Sequence, residues 1–274
     1  MKRRVLGCTC AFLAFSVAFG FADALADDAR RWVFATGVDY TNGDYGEAQD
    51  TTIVTAPLIA SYLGDRWSVT LTVPIVSVEG PGTVVPGSVG GGSGGGFLGG
   101  LLGGADAASP VSPMGGVDET GLGDVSLAVS ATPVVTEGGT QMSVTGRVRA
   151  PTADESRSLG TGEAAASLAG GLRQPIGDRA AVFGSVGYEH AFDSGAGGVF
   201  AGVGAESYVA SRVLLGATVD FAEANSELHR DSTQASGYIG FDATANTRIL
   251  AYGSAGLTET SPDIGAGLRL VFTP

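Results

Sequence analysis

From residue 31 onward, apolar and polar positions alternate with a period of two, broken at intervals by glycine, aspartate and arginine. Val125, Leu127, Val129 and Ala131 alternate with Ser126, Ala128, Ser130 and Thr132. After Glu137-Gly138-Gly139 the pattern resumes, with Met142, Val144 and Val148 opposing Ser143, Thr145, Arg147 and Arg149. The clearest case sets Trp67, Val69, Leu71, Val73 and Ile75 against Ser68, Thr70 and Thr72. A β-strand turns successive side chains to opposite faces, so each run predicts a strand with one apolar and one polar face. Besides these, runs at 31–40, 52–62, 163–173, 180–190, 199–208, 213–221, 233–242, 247–257 and 264–272 bring the expected count to about twelve. Single-chain bacterial barrels have an even number of strands.

The apolar faces carry mostly small and medium aliphatics, while one polar face carries both Arg147 and Arg149. Lipid outside and a polar lumen inside would produce that contrast. The connections alternate in length. Short ones fall at 64–66, 135–139, 176–179, 210–212 and 244–246, and longer ones at 41–51, 77–122, 152–162, 192–198, 222–232 and 258–263. Long outer loops and short periplasmic turns are the outer-membrane arrangement, and this phase puts both termini in the periplasm. The expected fold class is all-β: a transmembrane antiparallel up-and-down β-barrel. Its last strand places Ala266, Leu268, Leu270 and Phe272 toward lipid and Arg269 inside. The spacing of Gly267, Leu270 and Phe272 resembles the C-terminal signal read by the barrel-assembly machinery, with Thr273-Pro274 following it. This strand must pair with the first to remove both edges.

The ends and the composition narrow the class further. Lys2, Arg3 and Arg4 precede an apolar run at 5–21, and Ala24-Leu25-Ala26 offers a small-residue cleavage site. Residues 1–26 are therefore expected to be a cleaved signal peptide, and residues 27–274 one barrel domain. Cys8 and Cys10 are the only cysteines, so the mature chain would hold no disulfide and no thiolate metal site. The net charge is −13 and Lys2 is the sole lysine. Such an acidic chain is a poor partner for nucleic acid. No later apolar run is long enough for a transmembrane helix.

Three short stretches carry a family resemblance. Gly121-Leu122-Gly123-Asp124 opens one strand, Ala150-Pro151-Thr152-Ala153-Asp154 closes the next, and Leu159-Gly160-Thr161-Gly162 leads into a third. Together they resemble the outer-membrane family labelled "MetA-pathway of phenol degradation", with Ala153 standing where that family usually has glycine. The resemblance implies a bacterial outer-membrane barrel that passes small hydrophobic or aromatic compounds.

Candidate lumen residues are Arg147, Arg149, Arg173, Glu189, Glu206, Asp220 and Arg269, which fall on the faces assigned to the interior. They are expected to pair across the lumen, and a ring of such charges can also select solutes. The longest loop, 78–117, holds glycine repeats with no P-loop lysine, and within it Phe97, Leu98, Leu101 and Leu102 are candidates for a lid. His190, Asp193 and Ser194 at one rim raise the alternative of a lipid hydrolase. His229 lies among charged loop neighbours, and two histidines without cysteine make a metal site improbable. Asp44, Glu47, Asp50, Asp118 and Glu119 could share divalent cations with lipopolysaccharide. The expectation is a passive channel for small, apolar or aromatic solutes, with no catalytic residue, metal or cofactor. Its partners would be outer-membrane lipids and lipopolysaccharide, the assembly machinery and the solute. A non-conducting structural or surface-interaction barrel is the other alternative.

Overall fold

The computed structural model describes residues 31–82, 84, 86, 116–223 and 231–274. The expected signal peptide and the lid candidates Phe97, Leu98, Leu101 and Leu102 lie outside the described residues, as does His229. The strands are β1 (Arg31–Gly43), β2 (Thr51–Leu63), β3 (Trp67–Gly80), β4 (Val117–Leu122), β5 (Val125–Val135), β6 (Gln141–Ala150) and β7 (Ala165–Ile176). They continue with β8 (Ala180–Ala191), β9 (Gly197–Ala210), β10 (Val213–Ala222), β11 (Ser232–Thr244), β12 (Thr247–Gly256) and β13 (Ile264–Phe272).

Neighbours pair antiparallel around the sheet, and β1 closes it on β13 with Phe34 opposite Phe272 and Asp39 opposite Gly267. β3 is paired twice. Its lower half faces β5, with Leu71 opposite Leu127, and its upper half faces β4, with Val76 opposite Gly121. β4 and β5 thus share one place in the wall, and the barrel is a closed ring of twelve staves. Closure removes the free edges that a strand cannot leave unpaired in lipid. Gly123-Asp124, expected to open a strand, instead marks the break between these two pieces.

The period of two fixes the faces. Trp32, Phe34, Val38 and Tyr40 of β1 are exposed, while Val33, Ala35 and Asp39 are buried. In β3, Leu71 is 42% exposed and Thr70 is 1% exposed. Near the short-turn end an aromatic group faces outward: Trp32 stacks on Phe34 at 6.0 Å, and Tyr62 meets Trp32 at 5.3 Å and Trp67 at 5.7 Å. Amphipathic rings of this kind sit at a membrane–water boundary.

The inner face is less uniformly polar than the alternation predicts. One inward apolar cluster, at the long-loop end, joins Tyr45, Ile53, Val76, Val78, Val84 and Leu159. Two more lie toward the short turns: Phe183, Leu214, Tyr238 and Leu250, and Val33, Ala35, Ile59, Leu63 and Val271. The reason is visible in β2, where residues on both faces are aliphatic around Ala56 to Ala60, so alternation of polarity is lost while alternation of direction is kept.

Candidate functional site

All seven predicted lumen charges project inward: Arg147 and Arg149 from β6, Arg173 from β7, Glu189 from β8, Glu206 from β9, Asp220 from β10 and Arg269 from β13. The pairing of Arg149, Arg173 and Arg269 differs from the expected bridges across the lumen. Arg269 Nη2 lies 2.6 Å from Asp39 Oδ2 on the adjoining strand. Arg173 Nη2 lies 2.7 Å from Glu206 Oε1, and Arg149 Nη2 lies 3.3 Å from Glu189 Oε1, each pair straddling a single strand. Arg248 Nη2 reaches Asp242 Oδ1 at 2.5 Å, again between neighbours. These pairs run along the wall because adjacent strands stand about 4.8 Å apart, within an arginine's reach, and the far wall does not. Asp220 accepts a hydrogen bond from its own strand's Thr218 Oγ1 at 3.0 Å.

Sequence reasoning did not single out Asp39, Asp242, Arg248 or the inward tyrosines. The signal was available: Asp39 alternates with Val38 and Tyr40, and Arg248 precedes outward Ile249.

Two tyrosines build a symmetric row across six strands. Following the register from β1 to β9 gives Asp39, Gly267, Tyr252, Tyr238, Gly216 and Glu206, each opposite the next. The two rings point away from each other. Tyr252 lies over Gly267 and its hydroxyl donates to Asp39 Oδ1 at 2.9 Å. Tyr238 lies over Gly216 and its hydroxyl donates to Glu206 Oε2 at 3.0 Å. Each acceptor carboxylate is the one already paired to an arginine, Arg269 or Arg173. A third tyrosine, Tyr208, accepts from Arg248 Nη2 at 2.7 Å. On the opposite side of the barrel the inner face is hydroxyl-rich, with Ser61 and Thr70 2.9 Å apart and Ser130 and Thr145 2.6 Å apart.

The residues that carry the family resemblance meet at the wall break. The Thr152 hydroxyl donates to the Gly123 carbonyl at 2.9 Å and accepts from Val125 N–H at 2.9 Å, so one side chain serves both free backbone groups. Asp124 Oδ1 accepts from Ala153 N–H at 3.0 Å. Asp154 caps a short 3₁₀ turn (Glu155–Arg157), whose Arg157 binds Glu119 and the Thr120 carbonyl of β4. Leu159 then enters the inward apolar cluster, over Gly121. Gly160 has no room for a side chain beside Ala153 and Asp124. Ala153 is accommodated because the left-handed residues of this loop are Ser158, at φ 56°, and Gly162, at φ 70°, and the Ala153 methyl packs on the cluster.

At the rim, the His190 ring meets Phe192 edge-on at 5.8 Å. The Ser194 hydroxyl donates to Glu163 Oε2 at 2.7 Å. Among the described residues, no group of three or more His, Cys, Asp and Glu is arranged to hold a metal ion.

No protein-family model matches the chain, and no curated protein matches it in sequence. Among solved structures, an outer membrane channel from Pseudomonas putida F1 aligns with TM-score 0.66 at 14% identity, over 94% of this chain and 100% of that one. The KdgM porin aligns with TM-score 0.54 at 6% identity, over 88% of this chain and 98% of its own. The NanC porin aligns with TM-score 0.52 at 7% identity, over 88% of this chain and 99% of its own. Identities this low speak to architecture, and the architecture they share with this chain is the closed barrel of outer-membrane channels and porins.

Proposed function

We propose that this protein is an outer-membrane channel through which small apolar or aromatic solutes diffuse passively, with both termini in the periplasm. The observation that carries the reading is that the ion pairs Arg149–Glu189, Arg173–Glu206, Arg248–Asp242 and Arg269–Asp39, and the hydroxyl bonds of Tyr238 and Tyr252, join adjoining or next-but-one strands rather than opposite walls. An ion pair closed on itself has a weak field at a distance, because the two charges cancel. Charge selection needs the opposite, a ring of one sign facing the solute. Apolar clusters inside both ends favour a weakly polar solute over a strongly hydrated one. The stretches around Asp124, Thr152 and Gly160 support kinship with the MetA-pathway family, and they act in the fold by fastening the wall break.

Solute uptake into liposomes with a lipopolysaccharide outer leaflet tests this, using sugars, aromatic acids and neutral aromatics. Such a leaflet slows direct permeation by apolar compounds, so the barrel's contribution is measurable. Neutral aromatics should enter faster with the protein than without it, and faster relative to size than sugars. Uptake of no solute would favour a non-conducting barrel, and equal acceleration of sugars and aromatics would remove the apolar preference. The lipid-hydrolase alternative is addressed by lipase assay of wild type against His190→Ala. Activity lost in the variant would support it.

A further inference from the structure

The symmetric tyrosine row rests on two glycines. At Gly216 a Cβ would stand 2.1 Å from Tyr238 Cζ, and at Gly267 it would stand 2.1 Å from Tyr252 Cε1. The displaced atoms would be ring carbons and the hydroxyl oxygen itself, and the ring cannot slide sideways without leaving its carboxylate. Glycine inside a strand marks a close approach of this kind. Both rings project from the inward face, and Tyr238 is hemmed in along the wall by Phe183, Leu214 and Leu250, so a displaced ring is driven off the wall toward the barrel axis.

We infer that Gly216 and Gly267 are the residues that set the free width of the lumen, by letting Tyr238 and Tyr252 lie flat on the wall. The inference rests on the channel reading and deepens it, naming what limits the size of a solute on the side of the barrel from β9 to β1. Each ring is held at both ends: its Cβ is fixed by the strand, and its hydroxyl by Glu206 or Asp39. Those carboxylates are held in turn by Arg173 and Arg269. Any side chain at either glycine forces the ring up, breaks the hydroxyl's bond and narrows the passage. The same geometry recurs at Gly204, where a Cβ would stand 2.4 Å from Phe183 Cε2, but a phenylalanine has no hydroxyl to fasten it.

The experiment compares Gly216→Ala, Tyr238→Ala and the double variant, with Gly170→Ala as control, since nothing lies within 4 Å of a Cβ there. Heat-modifiable gel mobility reports folding, planar bilayers report conductance, and tetranitromethane followed by mass spectrometry reports access to Tyr238. In wild type Tyr238 is 5% exposed and should resist nitration. Gly216→Ala should raise Tyr238 nitration several-fold and lower conductance, while Gly170→Ala leaves both unchanged. Tyr238→Ala should raise conductance, and adding Gly216→Ala to it should change nothing further. If Gly216→Ala folds only in the Tyr238→Ala background, the clash is confirmed by that route. The inference is overturned if Gly216→Ala leaves nitration and conductance as in wild type, or is equally harmful with and without the ring. Should the wild type carry no current, the channel reading fails, and with it the assignment of width, whatever nitration shows about ring placement.

Discussion

The hydroxyl of Tyr252 donates to Asp39 Oδ1 at 2.9 Å across a sequence separation of 213 residues. Arg269 Nη2 holds the other carboxylate oxygen at 2.6 Å. One aspartate on the first strand is thus gripped by residues of the last two, at the seam where the barrel closes. Asp39 and Arg269 are both buried, and removing one member of a buried pair strands the other. Asp39→Ala should therefore lower stability by about 3–5 kcal/mol in urea unfolding from lipid vesicles. Tyr252→Phe, which removes one hydrogen bond to a charged group, should cost about 1.5–3 kcal/mol. Equal, small losses in both variants would mean that backbone pairing alone closes the seam.

The break between β4 and β5 depends on Thr152 in a different way. Its hydroxyl is the partner of both the Gly123 carbonyl and the Val125 N–H. Thr152→Val keeps the shape and removes both bonds, which are exposed or half-buried, so it should destabilise by about 0.5–1.5 kcal/mol, the net worth of an ordinary hydrogen bond. Thr152→Ser should stay close to wild type. A valine variant as stable as the serine variant would show that water reaches the break and replaces the hydroxyl.

Strand positions and outward faces were legible because lipid imposes a period of two wherever a strand crosses it. β4 escaped for the same reason. Its outward residues Asp118 and Thr120 face the same side as Glu79 and Ser77, and Thr120 and Ser77 share a hydrogen bond at 2.8 Å. These polar outward positions stand beyond the apolar band, where no alternation of polarity is demanded. The direction of the lumen charges followed from parity, but their partners did not. Whether Arg173 meets Glu206 or a residue on the far wall depends on register and strand spacing, which polarity does not encode. The tyrosine row was hidden in the same manner, since its members come from six separate strands.

The lipid face gives a sharp contrast in β3. Leu71→Arg puts a guanidinium on the outward surface and should cost about 2–4 kcal/mol if the residue lies near mid-bilayer. Its neighbour Thr70 is inward and shares a hydrogen bond with Ser61, so Thr70→Val should cost about 1 kcal/mol. Unfolding in vesicles measures both. A milder effect at Leu71 than at Thr70 would put Leu71 outside the hydrocarbon.

Orientation can be checked at two glycine turns. Gly195, at φ 72°, and Gly177, at φ 63°, each have open space where a Cβ would stand, so both turns should accept an insertion. An epitope at Gly195 should be labelled on intact cells, and one beside Gly177 only after the outer membrane is permeabilised. Reversed labelling would turn the barrel over.

The last prediction concerns the outer mouth. Ser158 holds a left-handed backbone at φ 56° without being glycine, a strain of roughly 1–3 kcal/mol, and it immediately precedes Leu159. Leu159 is 1% exposed among Tyr45, Ile53, Val76, Val78 and Val84. Burying such a leucine is worth about 1.5–3 kcal/mol, so the two contributions are of similar size and the loop is fastened by a small margin. Arg157, two residues before Leu159 and 42% exposed in its side chain, is a trypsin site that the fastened loop protects. Leu159→Ala should raise the rate of tryptic cleavage after Arg157 while leaving global unfolding of the barrel unchanged, because the loop lies outside the strand ladder. Adding Ser158→Gly to Leu159→Ala removes the strain, so it should restore part of the protection. If Leu159→Ala is cleaved no faster than wild type, the loop is held by Arg157–Glu119 and Asp124 rather than by its leucine. If the barrel unfolds more easily as well, the mouth cluster is part of the main core and not a separately fastened loop.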